Sequence, residues 1–319
     1  MGRPVKVKFV DKVFLSAGLR DLLFRHFDLE ISDNPDFLIC STGGFDYRRY
    51  QCTRIFCSME RSNLDLCNYD FAFSMSPDSV WNYYLPVYVF SPMYPLLFEP
   101  KDADKLIAGK RKFCNFVYSR KKSRNLFNKY QGVACRNKLF HRLSEYKRVD
   151  SWGMAFNNMG RVLDRQESMP DFYRPYKFTI AFENAAHPGY VTEKLTNALA
   201  GGTVPIYWGG PSAQEQFNPK SFINCRDYDD WDAVIKRVIE VDNDDELYKQ
   251  YLSEPAFVGN RKPEFLEESR IAERFEQIFN TQGKPREQRL LCRSRAGFRH
   301  FLRWSVRQGY KWLGTSDGY

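Results

Sequence analysis

The sequence lacks any apolar run long enough to cross a bilayer. Its most apolar stretch, Leu85–Phe98, is broken by three prolines, which excludes a membrane-spanning helix there. No Cys-x-x-Cys pair occurs, so the eight scattered cysteines are expected to be reduced core residues of a cytoplasmic protein. The N-terminal residues have no apolar segment of the kind that a signal peptide requires, so no signal peptide is predicted.

Several catalytic motifs are also missing from the chain. There is no Walker A loop, no Gly-x-Gly-x-x-Gly, no His-Glu-x-x-His and no Gly-x-Ser-x-Gly. Kinase, dehydrogenase, zinc protease and esterase functions therefore have no support from local motifs.

What the chain does contain is an ordinary globular composition with unevenly placed charge. Its 319 residues are 43% apolar and 27% charged, which excludes a disordered chain and suggests about two domains. Residues 101–148 hold fifteen Lys and Arg against three acidic residues, and residues 280–319 hold nine against two. Since the net charge is only +9, the rest of the chain is acidic, and each basic zone needs its own explanation.

Short apolar segments alternate with helical patterns in both halves of the chain. Such alternation is typical of parallel sheets covered by helices, so we predict the α/β class, with two Rossmann-like domains facing a cleft. The predicted boundaries are 1–104 for an acceptor-side domain, 105–279 for a donor domain and 280–319 for a basic tail. The predicted strands are 5–10, 36–41, 53–59, 70–75, 112–119, 177–184, 204–209 and 222–228.

One strand-to-helix junction carries the residues of a candidate anion site. The strand ending near Phe182 runs into a loop with Gly189, and a helix begins near Val191. A helix N-terminus attracts an anion, and Lys194 adds a full positive charge there. Glu193 has the oxygens to accept two ribose hydroxyl groups. The pattern indicates a nucleotide diphosphate site, although its spacing alone leaves open a surface Glu-Lys pair at a helix start.

The same region resembles a known family. Residues 176–228 contain FEN, YVTEK, PIYWG and FNPKSFIN in the order found in α-1,3-fucosyltransferases of glycosyltransferase family 10, above all in the bacterial members. Weaker likeness runs through RNKLFHRLSEYKRVDSWG and RIFCSMERSNLDLCNYDFAFS. The resemblance implies a GT-B fold, GDP-fucose as donor and a sugar hydroxyl as acceptor.

The family's site residues are carried over position by position. The resemblance implies that Glu193 contacts the ribose and that Lys194 contacts the diphosphate. It also implies donor contacts from Asn184 and Tyr190, with Glu183 and His187 as neighbours of the donor site.

Two further site residues are assigned by similarity to the family outside residues 176–228. Arg136 matches a phosphate-binding Arg of the family; Arg124 begins a similar Arg-Asn pair, but the downstream LSEYKRVDSWG favours Arg136. The family's general base is a Glu in a Gly-Glu-Asn turn, and here Glu60 stands between Met59 and Arg61. The resemblance therefore implies that Glu60 is the general base. Both of its neighbours differ from the family's pattern. The alternative is that Glu60 is a glutamate in a surface turn.

These residues define the expected reaction. GDP would leave without acid assistance, and Glu60 would deprotonate the acceptor, with inversion at the fucose C1. No cofactor is expected to be required, with stimulation by Mn²⁺ or Mg²⁺ left open. The acidic run 227–230 resembles the Asp-x-Asp metal motif of another glycosyltransferase architecture, but such clusters are also common turns, and we assign no metal ligand. The basic zone 101–148 is expected to surround the phosphate-binding edge.

The basic tail is expected to bind an anionic membrane. Residues 289–307 fit an amphipathic helix with apolar residues on one arc and four arginines on the opposite stripe. These arginines are Arg295, Arg299, Arg303 and Arg307. Packing of the apolar arc on the protein body is the alternative, and RNA binding is a weaker one. The expected location is cytoplasmic, peripheral on the inner membrane.

The leading hypothesis is a fucosyltransferase that acts on an N-acetyllactosamine-type acceptor of a surface glycan. The α-1,3 linkage is expected, and α-1,4 is left open. The alternatives are a GT-B enzyme for another nucleotide sugar and a non-catalytic basic protein that binds membrane or nucleic acid.

Overall fold

The computed structural model describes residues 4–11, 17–58, 65–121, 132–164, 168–283 and 285. The chain divides into two compact units. The first comprises residues 1–74, 78–83 and 271–319, and the second comprises residues 75–77 and 84–270. This division differs from the predicted boundaries at 104 and 279. Residues 286–319, which include nearly all of the predicted tail, lie outside the described residues.

The first unit is built on a six-stranded sheet of order β2-β1-β3-β4-β5-β6. Strands β1 to β5 pair in parallel. Their sequences are rich in β-branched and aromatic residues, which favour strands. The four strands predicted in this half are present; the short strands β2 and β6 were not predicted. The elements are β1 (Val5–Val10), α1 (Ala17–His26), β2 (Leu29–Ile31), β3 (Phe37–Cys40), β4 (Thr53–Cys57), β5 (Phe71–Ser74) and β6 (Asn82–Tyr84).

The second unit contains a five-stranded parallel sheet of order β11-β10-β9-β7-β8. The four strands predicted in this half are present, and the short strand β8 was not predicted. The elements are α2 (Ala103–Ala108), β7 (Lys112–Phe116), α3 (Gly132–Tyr146), β8 (Val149–Ser151), α4 (Met169–Tyr173), β9 (Tyr176–Phe182), α5 (Glu193–Ala200), β10 (Val204–Trp208), α6 (Ser212–Gln216), β11 (Ile223–Asn224), α7 (Trp231–Asn243) and α8 (Asp245–Ser253). The last helix, α9 (Glu268–Phe279), begins in this unit and continues in the first.

Helices cover both faces of this second sheet. Phe178 and Ile180 of β9 lie in the core cluster that includes α3 and α7, whereas Ala181 lies in the cluster that includes α5. This alternation follows from the two-residue period of a strand. Tyr88 and Leu97 pack in the α5 cluster as well. The segment around them therefore belongs to the second unit, which explains why the boundary falls before residue 104.

Most of helix α9 returns to the first unit. Phe275 stacks on Phe73, with ring centroids 3.9 Å apart and planes 7° apart. Phe279 contacts Phe27 and Phe37 edge-on, each at 5.0 Å between ring centroids. Aromatic packing of this kind explains why residues 271–279 belong to the first unit.

The seven cysteines within the described ranges carry free thiols, in agreement with the expectation of reduced cysteines. In the same ranges we find no helix with the length and apolar character needed to cross a membrane.

Candidate functional site

The order of the second sheet creates a switch point between β7 and β9. The chain goes from β7 to β8 on one side and then to β9 on the other side of β7. Open parallel sheets bind ligands at the carboxyl ends of the strands beside such a switch. Tyr118 follows β7 by two residues, and Glu183 and Asn184 follow β9 directly. The fold therefore places Glu183 and Asn184 at the edge where open parallel sheets bind ligands.

Arg136 of α3 is buried at this edge, with 2% of its surface exposed. Its Nη1 donates to Asn184 Oδ1 at 2.9 Å, and its Nη2 donates to the Arg120 carbonyl at 3.0 Å. The guanidinium lies 4.0 Å from the centroid of the Tyr118 ring. Such stacking on an aromatic face holds the planar group in one orientation.

The charge of Arg136 has no carboxylate to balance it in the part of the chain that the structure describes. Among the described residues no carboxylate forms an ion pair with Arg136, and no acceptor meets its Nε. Burial lowers the pKa of the guanidinium, and the Tyr118 phenol opposes that shift. A buried cation without a counter-ion is an unfavourable arrangement that a bound anion would relieve.

A second cation, Lys194, lies in the first turn of α5. Its Nζ donates to Thr192 Oγ1 at 2.9 Å and to Glu193 Oε1 at 3.1 Å, and it lies 3.6 Å from Glu183 Oε2. Thr192 is the N-cap of the helix, and its hydroxyl oxygen accepts from the Lys194 backbone N–H. The ammonium and the helix N-terminus thus supply positive charge at the same place.

Lys194 and the two carboxyl groups beside it, those of Glu183 and Glu193, shift one another's pKa values. Burial opposes the charged form of Lys194, but Glu183 and Glu193 outweigh it and raise the pKa of the ammonium. Burial opposes the charged form of Glu193 as well, but Lys194 lowers the pKa of that carboxyl. Lys194 and Glu193 therefore both carry charge at neutral pH.

The Tyr118 phenol lies within electrostatic range of both cations. Burial raises its pKa to about 12, although Arg136 and Lys194 oppose the shift. The phenol is therefore neutral at physiological pH. Its hydroxyl accepts the Phe182 N–H at 2.6 Å, which ties the end of β7 to the end of β9.

The loop between β9 and α5 is held by Gly189. This residue has φ +79°, and a Cβ here would lie 2.2 Å from the Met75 carbonyl oxygen. Its N–H donates to Ser212 Oγ at 2.7 Å, and its carbonyl accepts from the Tyr84 hydroxyl at 2.8 Å. The next residue, Tyr190, is buried as a result.

The start of α3 also depends on a glycine. A Cβ at Gly132 would lie 1.8 Å from the Glu183 carbonyl oxygen, and the Gly132 N–H donates to the Asn184 carbonyl at 3.2 Å. Since this close approach is open only to glycine, it fixes α3 against the end of β9. Arg136, one turn later, is thereby brought to Asn184.

The structure brings together most of the residues expected from the sequence. Arg136 contacts Asn184, Glu183 and Glu193 flank Lys194, and the partly buried His187 lies in the loop that holds Tyr190, whose N–H donates to the His187 carbonyl at 3.1 Å. Glu60 and Arg124 lie outside the described residues.

Tyr118 and Thr192 were not predicted to have roles at the site. A Thr directly before a helical Glu-Lys is a recognisable N-cap signal that points to Thr192. Nothing in the local sequence distinguishes Tyr118 from other core tyrosines.

One expectation from charge is corrected. Residues 101–148 do not simply surround the phosphate-binding edge. Arg111, Lys112 and Arg148 lie at the amino ends of β7 and β8, at the opposite edge, whereas Arg120 and Arg136 lie at the carboxyl edge. The zone is divided because its sequence runs along β7 and back along α3.

The acidic run 227–230 has structural partners. Asp230 caps α7 by accepting the Ala233 N–H at 2.8 Å. Asp227 accepts hydrogen bonds from Gln214 at 2.6 Å and Asn224 at 3.0 Å. Within the described ranges, no group of three or more His, Cys, Asp or Glu is arranged to hold a metal ion.

Two family profiles match this chain. The C-terminal region of glycosyltransferase family 10 (fucosyltransferase) matches residues 108–274, about half of the chain. The N-terminal domain of alpha-(1,3)-fucosyltransferase FucT matches residues 7–94. The two matches fall on the two regions that carry the two sheets.

Curated relatives are similar over part of their length. The chain is 31% identical to alpha-(1,3)-fucosyltransferase FucT of Helicobacter pylori over 163 residues, covering 51% of this chain and 31% of the relative. It is 35% identical to human 4-galactosyl-N-acetylglucosaminide 3-alpha-L-fucosyltransferase 9 over 121 residues, covering 37% of this chain and 32% of the relative. The alignments thus span about a third of these proteins.

Solved structures establish the fold. A crystal structure of an α1,3-fucosyltransferase with GDP-fucose matches with a TM-score of 0.68 at 21% identity, covering 86% of this chain and 90% of that one. A structure with GDP matches with a TM-score of 0.69 at 21% identity, covering 88% and 91%. The two parallel α/β units are therefore those of a GT-B fold.

Proposed function

We propose that this chain, which belongs to glycosyltransferase family 10, transfers L-fucose from GDP-fucose to a GlcNAc-type hydroxyl of a surface glycan, in α-1,3 linkage and with inversion. A neighbour of the same fold was crystallised with GDP-fucose, which supports this choice of donor. The H. pylori relative, named as an α-(1,3)-fucosyltransferase, supports the linkage.

The observation that carries the proposal is the pair of cations at the switch point. Arg136 is buried without a carboxylate partner among the described residues, and Lys194 lies at the N-terminus of α5. A diphosphate would compensate the charge of Arg136 and accept hydrogen bonds from Lys194. Arginine suits this task because its planar group offers paired donors to phosphate oxygens.

These groups act on the leaving group. When the C1–O bond of the fucose breaks, negative charge grows on the departing diphosphate of GDP. Lys194, Arg136 and the N–H groups at the start of α5 stabilise that charge without transferring a proton. In enzymes that stabilise a developing negative charge in this way, removal of one such donor typically lowers turnover by about 10²–10³-fold.

Glu193 is placed to hold the ribose. Its side chain is 46% exposed, and it pairs with Lys194 at 3.1 Å. Because its carboxylate is charged and half exposed, it can turn to accept the two ribose hydroxyl groups. Asn184 and Tyr190 are proposed as further donor contacts, with His187 as a neighbour of the donor.

Glu60 is proposed as the general base. It would take the proton of the acceptor hydroxyl as that oxygen attacks C1 from the face opposite GDP, a contribution of about 10²–10⁴-fold. One carboxylate suffices because GDP leaves without acid help. The product has the inverted configuration at C1.

The experiment that tests the function is a donor and acceptor screen with purified protein. GDP-fucose with N-acetyllactosamine should give product, and NMR of the product should show fucose in α-1,3 linkage to GlcNAc. Turnover with UDP-sugars but none with GDP-fucose would refute the proposal.

The role of Glu60 is tested in the same assay. Glu60→Gln should lose about 10²–10⁴-fold in turnover and still bind GDP. Glu145→Gln, an exposed carboxylate on α3, is the matched control and should keep full turnover. Near-normal turnover of Glu60→Gln would remove the base assignment.

We propose that no metal is required, with Mn²⁺ or Mg²⁺ at most stimulating. Turnover should therefore persist in EDTA. Loss of turnover in EDTA with recovery on addition of Mn²⁺ would overturn this.

We also propose that the arginine stripe within residues 289–307 attaches the protein to the anionic inner leaflet of the cytoplasmic membrane. The full chain should sediment with phosphatidylglycerol vesicles and remain in solution with neutral ones. The variant R295S/R299S/R303S/R307S should lose this sedimentation. Unchanged sedimentation of the variant would contradict the proposal.

A further inference from the structure

Glu183 is a fully buried carboxylate at the edge of the donor site. Its exposed fraction is 0%. Its Oε1 accepts the Thr192 backbone N–H at 2.7 Å, and its Oε2 accepts from the Thr192 hydroxyl at 2.8 Å. Lys194 Nζ lies 3.6 Å from Oε2. A buried carboxylate is costly unless such donors and a cation surround it, so this group is built into the site.

The residue Glu183 is closely packed by neighbouring backbone. A Cβ at Gly132 would meet its carbonyl oxygen at 1.8 Å, and a Cβ at Gly209 would lie 3.0 Å from its Cγ. Its N–H donates to the Trp208 carbonyl at 2.8 Å. The backbone and the side chain of Glu183 are therefore both fixed from several sides.

Glu193 differs from Glu183 in this respect. Both carboxylates approach Lys194, but Glu193 is on the helix surface with 46% of its side chain exposed. If Glu193 turns to the ribose when the donor binds, Lys194 loses one counter-charge. The carboxylate that remains beside the ammonium in both states is Glu183.

We propose that Glu183 is a positioning residue, the fixed counter-ion that keeps the Lys194 ammonium charged and aimed at the donor diphosphate while Glu193 holds the ribose. This inference rests on the proposed function, because it takes the diphosphate as the ligand of Lys194. Glu183 itself does not touch the donor.

The electrostatic surroundings of Lys194 support this division of roles. Burial opposes the charged ammonium, and Glu183 is the strongest of the groups that oppose burial. The other titratable groups facing Lys194 from the elements around it are Glu193, Tyr190, Tyr118 and Tyr173. Burial raises the pKa of the Glu183 carboxyl, and Lys194 is the main group that opposes this shift. Burial also raises the pKa values of the Tyr118 and Tyr173 phenols. Among the carboxylates of the described residues that face Lys194, Glu183 is therefore the one that remains when Glu193 engages the ribose.

The test is the pH dependence of kcat/KM for GDP-fucose in Glu183→Gln and in Thr192→Val. Glutamine keeps the acceptor for the Thr192 N–H and removes the charge. Valine removes the hydroxyl contacts and keeps the charge. For each variant, kcat/KM is divided by that of the wild type between pH 7 and 10, so that ionisation of the guanine base cancels.

The expected result separates the two variants. For Glu183→Gln the ratio should fall by about tenfold or more as the pH rises, since loss of a counter-charge within about 4 Å lets Lys194 deprotonate earlier. For Thr192→Val the ratio should be lower than one but constant with pH. Adding Lys194→Arg to Glu183→Gln should remove the fall, because arginine stays charged. A constant ratio for Glu183→Gln would overturn the inference.

A second measurement uses only the wild-type protein. The ¹⁵N signal of Lys194 Nζ, assigned by its absence in Lys194→Arg, should not titrate below pH 10.5 in the GDP complex. Titration at or below the ordinary lysine midpoint of about 10.4 would overturn the inference even if Glu183→Gln does not fold. Absence of both GDP binding and fucose transfer in the wild type would instead refute the proposed function, and the inference with it.

Discussion

The basic residues at the amino edge of the second sheet differ from Arg136 at its carboxyl edge in how their positive charge is balanced. At the amino edge, Asp150 accepts from Lys112 at 3.0 Å and from Arg148 at 2.9 Å. Asp242 pairs in the same manner with Lys147 and Lys177. At the carboxyl edge, Arg136 is buried without any carboxylate partner among the described residues.

This difference in pairing shows how a basic residue that stabilises the fold can be told from one that is available to bind an anionic ligand. The amino-edge cations are already neutralised by buried carboxylates, so they stabilise the fold and have little left to offer an anion. Arg136, for which the described residues supply no carboxylate, is available to be compensated by a bound anion. A high local density of Lys and Arg in the sequence does not distinguish these two kinds of basic residue, but their pairing with carboxylates in the structure does.

Lys194→Ala should show the largest effect. Removing the ammonium from the diphosphate site should lower kcat/KM for GDP-fucose by about 10²–10³-fold. Lys112→Ala, the matched lysine from the amino edge, should leave kcat/KM within about twofold because Arg148 still pairs with Asp150. Similar losses from both variants would break the distinction between the edges.

Asp242→Asn should act on stability instead. The variant leaves Lys147 and Lys177 without their carboxylate, which should lower the free energy of unfolding by about 1–3 kcal/mol, given that the lysines are partly exposed. Urea denaturation measures this, with the exposed Asp229→Asn as control. A loss of kcat with unchanged stability would contradict the structural role.

The same carboxylates predict the response to acid. Burial opposes ionisation of Asp150 and Asp242, but Lys112 and Lys147 outweigh it and lower both pKa values. Each folded pKa is below the unfolded value of about 3.9, so the stabilisation is present above that pH and is lost as the pH falls further. Unfolding free energies between pH 6 and 2.5 should therefore fall more steeply for the wild type than for Asp150→Asn/Asp242→Asn. Equal slopes would contradict the assignment.

Asp230→Ala should have the smallest effect and sharpens the comparison on the carboxyl edge itself. Asp230 lies on that edge but caps α7, so its loss should cost about 1 kcal/mol of stability. The variant should keep wild-type turnover, with and without EDTA. A large loss of turnover would mean that a charged residue affects function because it lies on the carboxyl edge, whether or not it already has a structural partner.

Sequence patterns predicted most of the fold because strands such as β3 and β10 are continuous apolar runs and α5 has a clear amphipathic period. They failed at β2, β6 and β8, which are each three residues long and therefore carry little periodic signal. The division into compact units differs from the predicted boundary at 104, because segment 87–98 packs on α5 through contacts distant in sequence.

The site was predictable where the chemistry lies in one contiguous block. Glu183, Glu193 and Lys194 are close in sequence, and one loop and one helix turn bring them together. The stacking of Arg136 on Tyr118 joins residues from two elements, and it follows only from the order of the strands. Pairing of the amino-edge cations with Asp150 and Asp242 was likewise invisible to a count of charges.

The most direct test of the central claim is calorimetric titration of GDP into the wild type, Arg136→Met and Lys112→Met, with thermal unfolding to verify that each protein is folded. The account predicts that Lys112→Met binds GDP within about twofold of the wild type and that Arg136→Met binds at least about tenfold more weakly, since it loses charge-assisted hydrogen bonds to phosphate. Equal GDP affinity in all three folded proteins would contradict it.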